Sequence, residues 1–229
     1  MAKNHLKSIA APNTWPINRK KNVFVTRPNP GAHKMLFGMP ISVIMIDMIK
    51  CANTKKEVKS ILKNKNVLID GKKKSDDKHI VGLMDTISMK DVDEYYRIII
   101  SKKGKIMAIK IDEKEASVKP SKITGKTVLK KGLIQLNLLD GRNMIVKKDE
   151  YKVGDSLMLS LPEQKINGHL KLENGMIAYL IGGKHIGETG VIESVEGSKI
   201  RVRADKEVYE TAKGYAFIVG KDKPAITLS

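Results

Sequence analysis

The chain has 229 residues, 41% of them hydrophobic, and sets 43 basic side chains against 25 acidic ones for a formal charge of +18. That length allows one large domain or two to three small ones, and so large a positive excess points to a polyanionic partner rather than to solubility alone. Cys51 is the only cysteine, which excludes an internal disulfide framework and a cysteine-built metal site and fits a reducing cytosol.

Six of the bases are arginine (Arg19, Arg27, Arg97, Arg142, Arg201 and Arg203) and the rest are lysine. Lysine is a point charge suited to phosphates, whereas the arginine fork is better at reading base edges. The expected recognition is therefore of backbone and shape. Aromatic residues are only 4%, which argues against a module built to stack many single-stranded bases. The most apolar stretch, 35–49, is broken by Gly38, Pro40 and Asp47 and is too short to span a membrane. The first residues, MAKNHLKSIA, lack the apolar core of a secretory signal. A soluble, cytoplasmic protein without a membrane partner is expected.

Residues 1–41 read as a basic arm. Up to position 34 it carries Lys3, Lys7, Arg19, Lys20, Lys21, Arg27 and Lys34, no acid, and Pro12, Pro16, Pro28 and Pro30. So many prolines exclude a long helix. An extended segment ordered by a phosphate surface explains the mixture of Trp15, His5, His33 and arginine better than a merely solvating tail does.

Residues 42–92 form the next segment. From Pro40 the pattern turns helical, with Val43, Ile46, Met48 and Ile49 on the expected buried side. Thr54 with Glu57 three residues later is a capping box opening a second helix. In that helix Val58, Ile61 and Leu62 make an apolar face, and Lys55, Lys56, Lys59 and Lys63 the opposite one. NVLIDGKKK (66–74) reads as a strand, a tight Asp70-Gly71 turn and a basic exit through Lys72, Lys73 and Lys74. The return path is 79–89.

Over 93–172 short strands replace helices, at 95–101, 105–111, 132–139, 143–147 and 156–161, with turns at Lys103-Gly104, Asp140-Gly141 and Gly154-Asp155. This spacing suggests a small antiparallel barrel. A second β unit occupies 173–229. The predicted fold class is α+β and mostly β.

The stretch TKKEVKSILKNKNVLIDGKKKSD resembles the alpha-L RNA-binding domain, in which a basic helix and a V-x-V-[ND]-G-K hairpin lie on folded RNA. The matching hairpin residues here are Val67, Ile69, Asp70, Gly71 and Lys72. An ordinary amphipathic helix with a solvated lysine face is the plainer alternative, but it leaves the Asp-Gly hairpin unexplained. Farther on, NGMIAYLIGGKHIGETGVIESVEG invites comparison with a nucleotide-binding loop. That loop needs G-x-x-x-x-G-K-[ST] opening a helix. Here His185 follows Lys184 and a strand pattern follows both. At the only Gly-Lys-Thr, 125–127, Pro120 stands where the first glycine belongs. The spacing of Gly175, Gly182, Gly187 and Gly190 instead resembles the KOW motif, which implies a hairpin in an SH3-like barrel with Lys184 and His185 at its tip.

Catalytic chemistry finds little support. Histidines 5, 33, 79, 169 and 185 show no metal-ligand spacing. Leu138 stands where the arginine of a uridine-isomerising catalytic loop would be, and no Ser/His/Asp or Cys/His grouping is visible. An RNA-modifying enzyme or a transient KOW-type translation or transcription factor are the alternatives. The first needs a catalytic cluster, and the second would lack the proline-rich basic arm.

Taken together, the arm HLKSIAAPNTWPINRKKNVFVTRPNPGAHK, the alpha-L segment, GLIQLNLLDGRNMIV, the KOW segment and FIVGKDKPAITLS resemble the small-subunit ribosomal protein S4e family of archaea and eukaryotes over essentially the whole chain. Phe24 and Ile46 depart from the residues expected there, tryptophan and arginine. The short chain after the last β unit suggests an archaeal member. The resemblance implies a non-catalytic role in the small ribosomal subunit, with small-subunit rRNA and neighbouring ribosomal proteins as partners, and no cofactor, metal or small-molecule substrate. The RNA-binding candidates are Lys3, His5, Lys7, Trp15, Arg19, Lys20, Lys21, Arg27 and His33 in the arm. In the alpha-L segment they are Lys55, Lys56, Lys59, Lys63, Lys72, Lys73 and Lys74, and in the KOW loop Lys184 and His185.

Overall fold

The computed structural model describes residues 4–204, 207–221 and 223–228. The chain divides into two compact units. The first comprises Met1–Ile100 with Gly104–Ser117, and the second Ser101–Lys103 with Val118–Ser229.

In the first unit the arm carries β1 (Leu6–Lys7), paired antiparallel with β2 (Phe24–Val25). β3 (Gly38–Pro40) leads directly into α1 (Ile41–Val43), which continues as a single π-helical segment, Ile44–Ile49. Lys50 ends it in the left-handed region at φ 61°. The wider i→i+5 turn re-registers the apolar face. Ile41, Val43, Ile44 and Met45 are buried, while Ile46, Met48 and Ile49, expected inside, stay partly exposed.

α2 (Lys55–Asn64) follows. The predicted cap forms: Thr54 Oγ1 accepts the Glu57 N–H at 3.3 Å, and the Glu57 carboxylate accepts the N–H of Asn53 at 2.8 Å. Val58 and Leu62 are fully buried.

β4 (Val67–Ile69) and β5 (Lys72–Lys73) make the predicted hairpin. Asp70 and Gly71 both have positive φ, 49° and 73°, as a two-residue type I′ turn requires. β6 (Ile80–Gly82) pairs with β3. β7 (Thr86–Met89), β8 (Glu94–Ile100) and β9 (Ile106–Ile111) complete a five-stranded sheet in the order β5-β4-β7-β8-β9, followed by the short α3 (Glu113–Ala116). The sheet thus runs across position 92/93. Two strands expected in a central barrel, β8 and β9, hydrogen-bond into the hairpin's sheet because β7 and β8 are joined by a tight turn with Met89 opposite Glu94.

In the second unit β10 (Val118–Val128) is the longest strand and serves two partners. Its first half pairs with β13 (Ser156–Ser160) and its second half with β11 (Ile134–Leu138), across a bulge between Ile123 and Gly125. β12 (Asn143–Val146) and β14 (Ile166–Leu170) flank them in the order β12-β11-β10-β13-β14. GLIQLNLL behaves as its alternation demands: Ile134, Leu136 and Leu138 are buried with Ile123, Leu157 and Leu159.

The last sheet has the order β18-β17-β16-β15-β19, from β15 (Ile177–Leu180), β16 (Thr189–Glu196), β17 (Lys199–Ala204), β18 (Glu207–Ala212) and β19 (Ala216–Gly220). Its core is Ala178, Ile192, Ile200, Val202, Ala216 and Ile218. The architecture is α+β and mostly β. Among the described residues no helix is long and apolar enough to cross a membrane.

Candidate nucleic-acid interface

α2 is amphipathic because its apolar residues recur at helical spacing. Val58 and Leu62 anchor one side, so Lys55, Lys56, Lys59 and Lys63 must project from the other, where all four are exposed. Lys55, Lys59 and Lys63 stand four residues apart and form a stripe along the helix. Asp77 meets the first two, at 3.1 Å from Lys55 and 3.7 Å from Lys59. It lies three residues beyond Lys74, so these ion pairs tie the stripe to the exit of the hairpin. The lysine ends of these pairs reach water while the Asp77 carboxylate is buried.

The hairpin is pinned from behind. Asp70 is buried, and its carboxylate accepts the N–H of Thr86 at 2.9 Å. Its positive φ places Lys72 and Lys73 outward and exposed, with Lys74 half-buried. The first unit therefore carries exposed lysines on both α2 and the hairpin, and two of the helix lysines share the Asp77 carboxylate. Such a cluster neutralises phosphates and releases their counterions.

The arm behaves differently. Lys3 lies outside the described residues. His5, Lys7, Lys20 and Lys21 are exposed and Arg27 half-buried. Trp15, expected either to stack on a base or to plug a protein pocket, does the second. Its ring is 1% exposed, and Nε1 donates to the carbonyls of Met35 and Gly38, both at 3.0 Å. Arg19 turns inward as well: its guanidinium donates to the carbonyls of Ser8, Ile9, Ala11 and Pro12. His33 is buried, with Nε2 at 3.0 Å from Asp85, whose other oxygen accepts the N–H of Gly82 at 2.8 Å. A Cβ at Gly82 would run into the His33 ring. Trp15, Arg19 and His33 spend their donors holding the arm on its own unit. Arginine, tryptophan and histidine have directional donors that a folded backbone can use, and here it uses them.

In the glycine-rich loop of the second unit, Gly183 and Gly187 take positive φ, 84° and 80°. Lys184 is exposed as expected, but His185 is not a free tip. It stacks flat on Tyr209, with centroids 3.8 Å apart and planes 4° apart, and its Nδ1 lies 3.1 Å from Glu188. Sequence reading left out Phe24, which is 54% exposed beside His5. Its signal was available as a large apolar residue among bases with no acid nearby.

Among the described residues no group of three or more histidine, cysteine, aspartate or glutamate side chains could hold a metal ion.

The ribosomal family S4e model matches residues 92–166, and the RS4NT (NUC023) domain model matches residues 2–36. The small ribosomal subunit protein eS4 of Methanococcus vannielii is 42% identical over 240 residues, covering 99% of this chain and 98% of the relative. The chain belongs to the ribosomal S4e family. The eS4 protein of Methanocaldococcus jannaschii is 41% identical with the same coverage. The crystal structure of the 30S ribosomal protein S4e from Thermoplasma acidophilum matches with a TM-score of 0.73 and 30% identity, over 84% of this chain and 98% of that one. The α2 stripe and the hairpin fall between the two matched spans, so within this S4e chain the lysine surface is identified by its own geometry.

Proposed function

We propose that the protein is a structural, non-catalytic constituent of the small ribosomal subunit in the cytoplasm, where it binds folded rRNA through lysine–phosphate contacts and shape. The observation that carries the reading is the exposure of Lys55, Lys59 and Lys63 along α2 together with Lys72 and Lys73 on the hairpin of the same unit. Membership in the S4e family supports it. Ammonium groups on flexible stems follow a phosphate backbone without reading bases, which suits an A-form helix whose deep groove is closed to side chains. Lys7, Lys20, Lys21 and Arg27 of the arm (1–41) and Lys184 of the KOW segment (173–229) supply further contacts. The alpha-L segment (42–92) makes the main one. Neighbouring ribosomal proteins meet the surfaces that RNA leaves open.

The test is to crosslink cell extract, separate particles on a gradient and identify the RNA attached to the protein. Stoichiometric sedimentation with small subunits, crosslinked through Lys55–Lys74, is expected. Sedimentation as free protein, or attachment to tRNA alone, overturns the reading.

A further inference from the structure

The arm carries one surface that lysine–phosphate binding does not use. In the β1–β2 ribbon Lys7 lies directly opposite Phe24, and Leu6 opposite Val25. Leu6 is buried, so Lys7 and Phe24 share the outer face. The His5 ring leans on Phe24, with centroids 5.6 Å apart and planes at 59°. Phe24 also borders an open cleft of about 280 Å³, whose walls include Asn18, Lys21, Asn22, Asp47 and Lys55. Burial raises the Asp47 carboxyl above its ordinary range, against the pull of Lys21.

Position 47 is the first acid in the chain, so the arm favours a negatively charged occupant. An acidic peptide would satisfy the lysines, but its small peptide and carboxylate planes offer an exposed ring far less π-surface than a base does. A nucleotide has a π-face, a polar edge and a phosphate together. A single platform of this kind also agrees with the low aromatic content, because it reads one base rather than a run.

We propose that this cleft receives one unstacked base of the bound RNA, its face on Phe24, its edge toward Asn18, Asn22 and Asp47, and its flanking phosphates on Lys7 and Lys21. The inference rests on the rRNA-binding reading and adds a single-stranded nucleotide to it. Asn18 already accepts the Lys20 N–H at 3.2 Å through its oxygen, so it contributes its amide donors.

The full-length protein and its Phe24→Ala, Phe24→Tyr and Lys21→Ala variants are titrated against small-subunit rRNA at several salt concentrations. Emission from the single, buried Trp15 reports whether the arm stays folded. Phe24→Ala is expected to weaken binding about 5- to 150-fold with an unchanged salt slope, the loss of one base–aromatic stack. Phe24→Tyr is expected to bind as the parent does, and Lys21→Ala to lower the salt slope by about 0.7. If Phe24→Ala shifts the Trp15 emission, Phe24→Leu replaces it, keeping the bulk without the plane and losing affinity to the same degree. A benzophenone side chain at position 24 should crosslink to RNA in assembled subunits. Crosslinking to a protein instead, or indifference of affinity to Phe24→Ala or Phe24→Leu, overturns the cleft proposal. Failure of the parent protein to bind the rRNA overturns the ribosomal reading itself.

Discussion

Lysine does opposite work in the two units. In the first, Lys55, Lys56, Lys59 and Lys63 stand in water on one face of a helix. In the second, Lys119 and Lys122 are buried within β10. Lys119 Nζ pairs with Asp140 at 3.1 Å, both side chains almost fully buried. Lys122 Nζ donates to the carbonyls of Lys213, Gly214 and Ala216. A formal charge of +18 therefore mixes two populations, one available to a polyanion and one consumed in holding sheets together. Burial separates them, and with it the penalty of removing an ammonium from water.

Replacing one partner of the buried pair should give the largest effect. Lys119→Met leaves the buried Asp140 with only the more distant Arg142 Nε, at 3.5 Å, as its cation and is expected to lower unfolding free energy by about 3 kcal/mol. Urea unfolding of the full chain measures this. Adding Asp140→Leu should restore part of the loss, because it removes the carboxylate that lost its lysine, while Ser121 Oγ and the Arg142 N–H lose their acceptor. If the double variant is no better than the single, the cost is in packing and not in charge.

Lys122 offers a pH signature of the same burial. Desolvation pushes its ammonium down to about 8, with the charge of Lys213 acting in the same direction. The unfolded chain holds that proton up to its ordinary pKa near 10.5. Between these values the unfolded state binds more protons, so stability should rise as pH climbs from about 8 to about 10.5, by at most about 3 kcal/mol. Lys122→Met should lose that rise. Other groups titrate in the same window, so the difference between parent and variant urea midpoints at pH 7.5 and 10 is the quantity to read. Parallel curves would mean that the carbonyls, not desolvation, set the proton affinity.

Within the first unit the contrast sharpens between Arg19 and the helix lysines. Arg19→Ala removes the donor shared by four arm carbonyls and should cost about 2 kcal/mol, with little change in the salt dependence of RNA binding. Lys59→Ala should do the reverse. Stability stays within about 0.5 kcal/mol, while the slope of log affinity against log salt falls by about 0.7–0.9. Thermal unfolding and filter binding at several salt concentrations read both. If Arg19→Ala flattens the salt slope and leaves stability alone, the arginine belongs to the RNA surface after all.

What was legible in the sequence was what short-range chemistry determines. The Asp70-Gly71 turn, the Thr54–Glu57 cap and the alternation of GLIQLNLL each declare themselves within a few residues. β10 did not, because Pro120 and three lysines make it read as a polar loop, and its lysines make sense only beside Asp140 and the carbonyls of 213–216. β18 carries little signal of its own, because EVYETA is an edge strand with mostly exposed side chains. The fates of Trp15 and His33 depend on Gly38 and on Asp85, which are 23 and 52 residues away. The candidate interface follows the same rule: the exposure of its lysines is readable from helical spacing, while the inward turn of Trp15, Arg19 and His33 rests on distant partners.

The smallest effect tests whether helix geometry, and not charge alone, makes the lysine face. Thr54→Ala removes the oxygen that accepts the Glu57 N–H and should cost about 1 kcal/mol. Glu57 is fully exposed, and the hydrogen bonds from Asn53 and Thr54 hold its carboxyl below the ordinary range. The cap therefore strengthens above the ordinary glutamate pKa and fades as pH falls through the lowered one. No lysine changes, so a purely electrostatic surface would keep its affinity for RNA. A stripe that depends on Lys55, Lys59 and Lys63 standing one turn apart loses alignment first at its N-terminal end, at Lys55, when the first turn frays. Thr54→Ala should then weaken binding severalfold at constant net charge, and Thr54→Ser, which keeps the cap, should not. Equal affinities for the two variants would assign the interface to charge density alone.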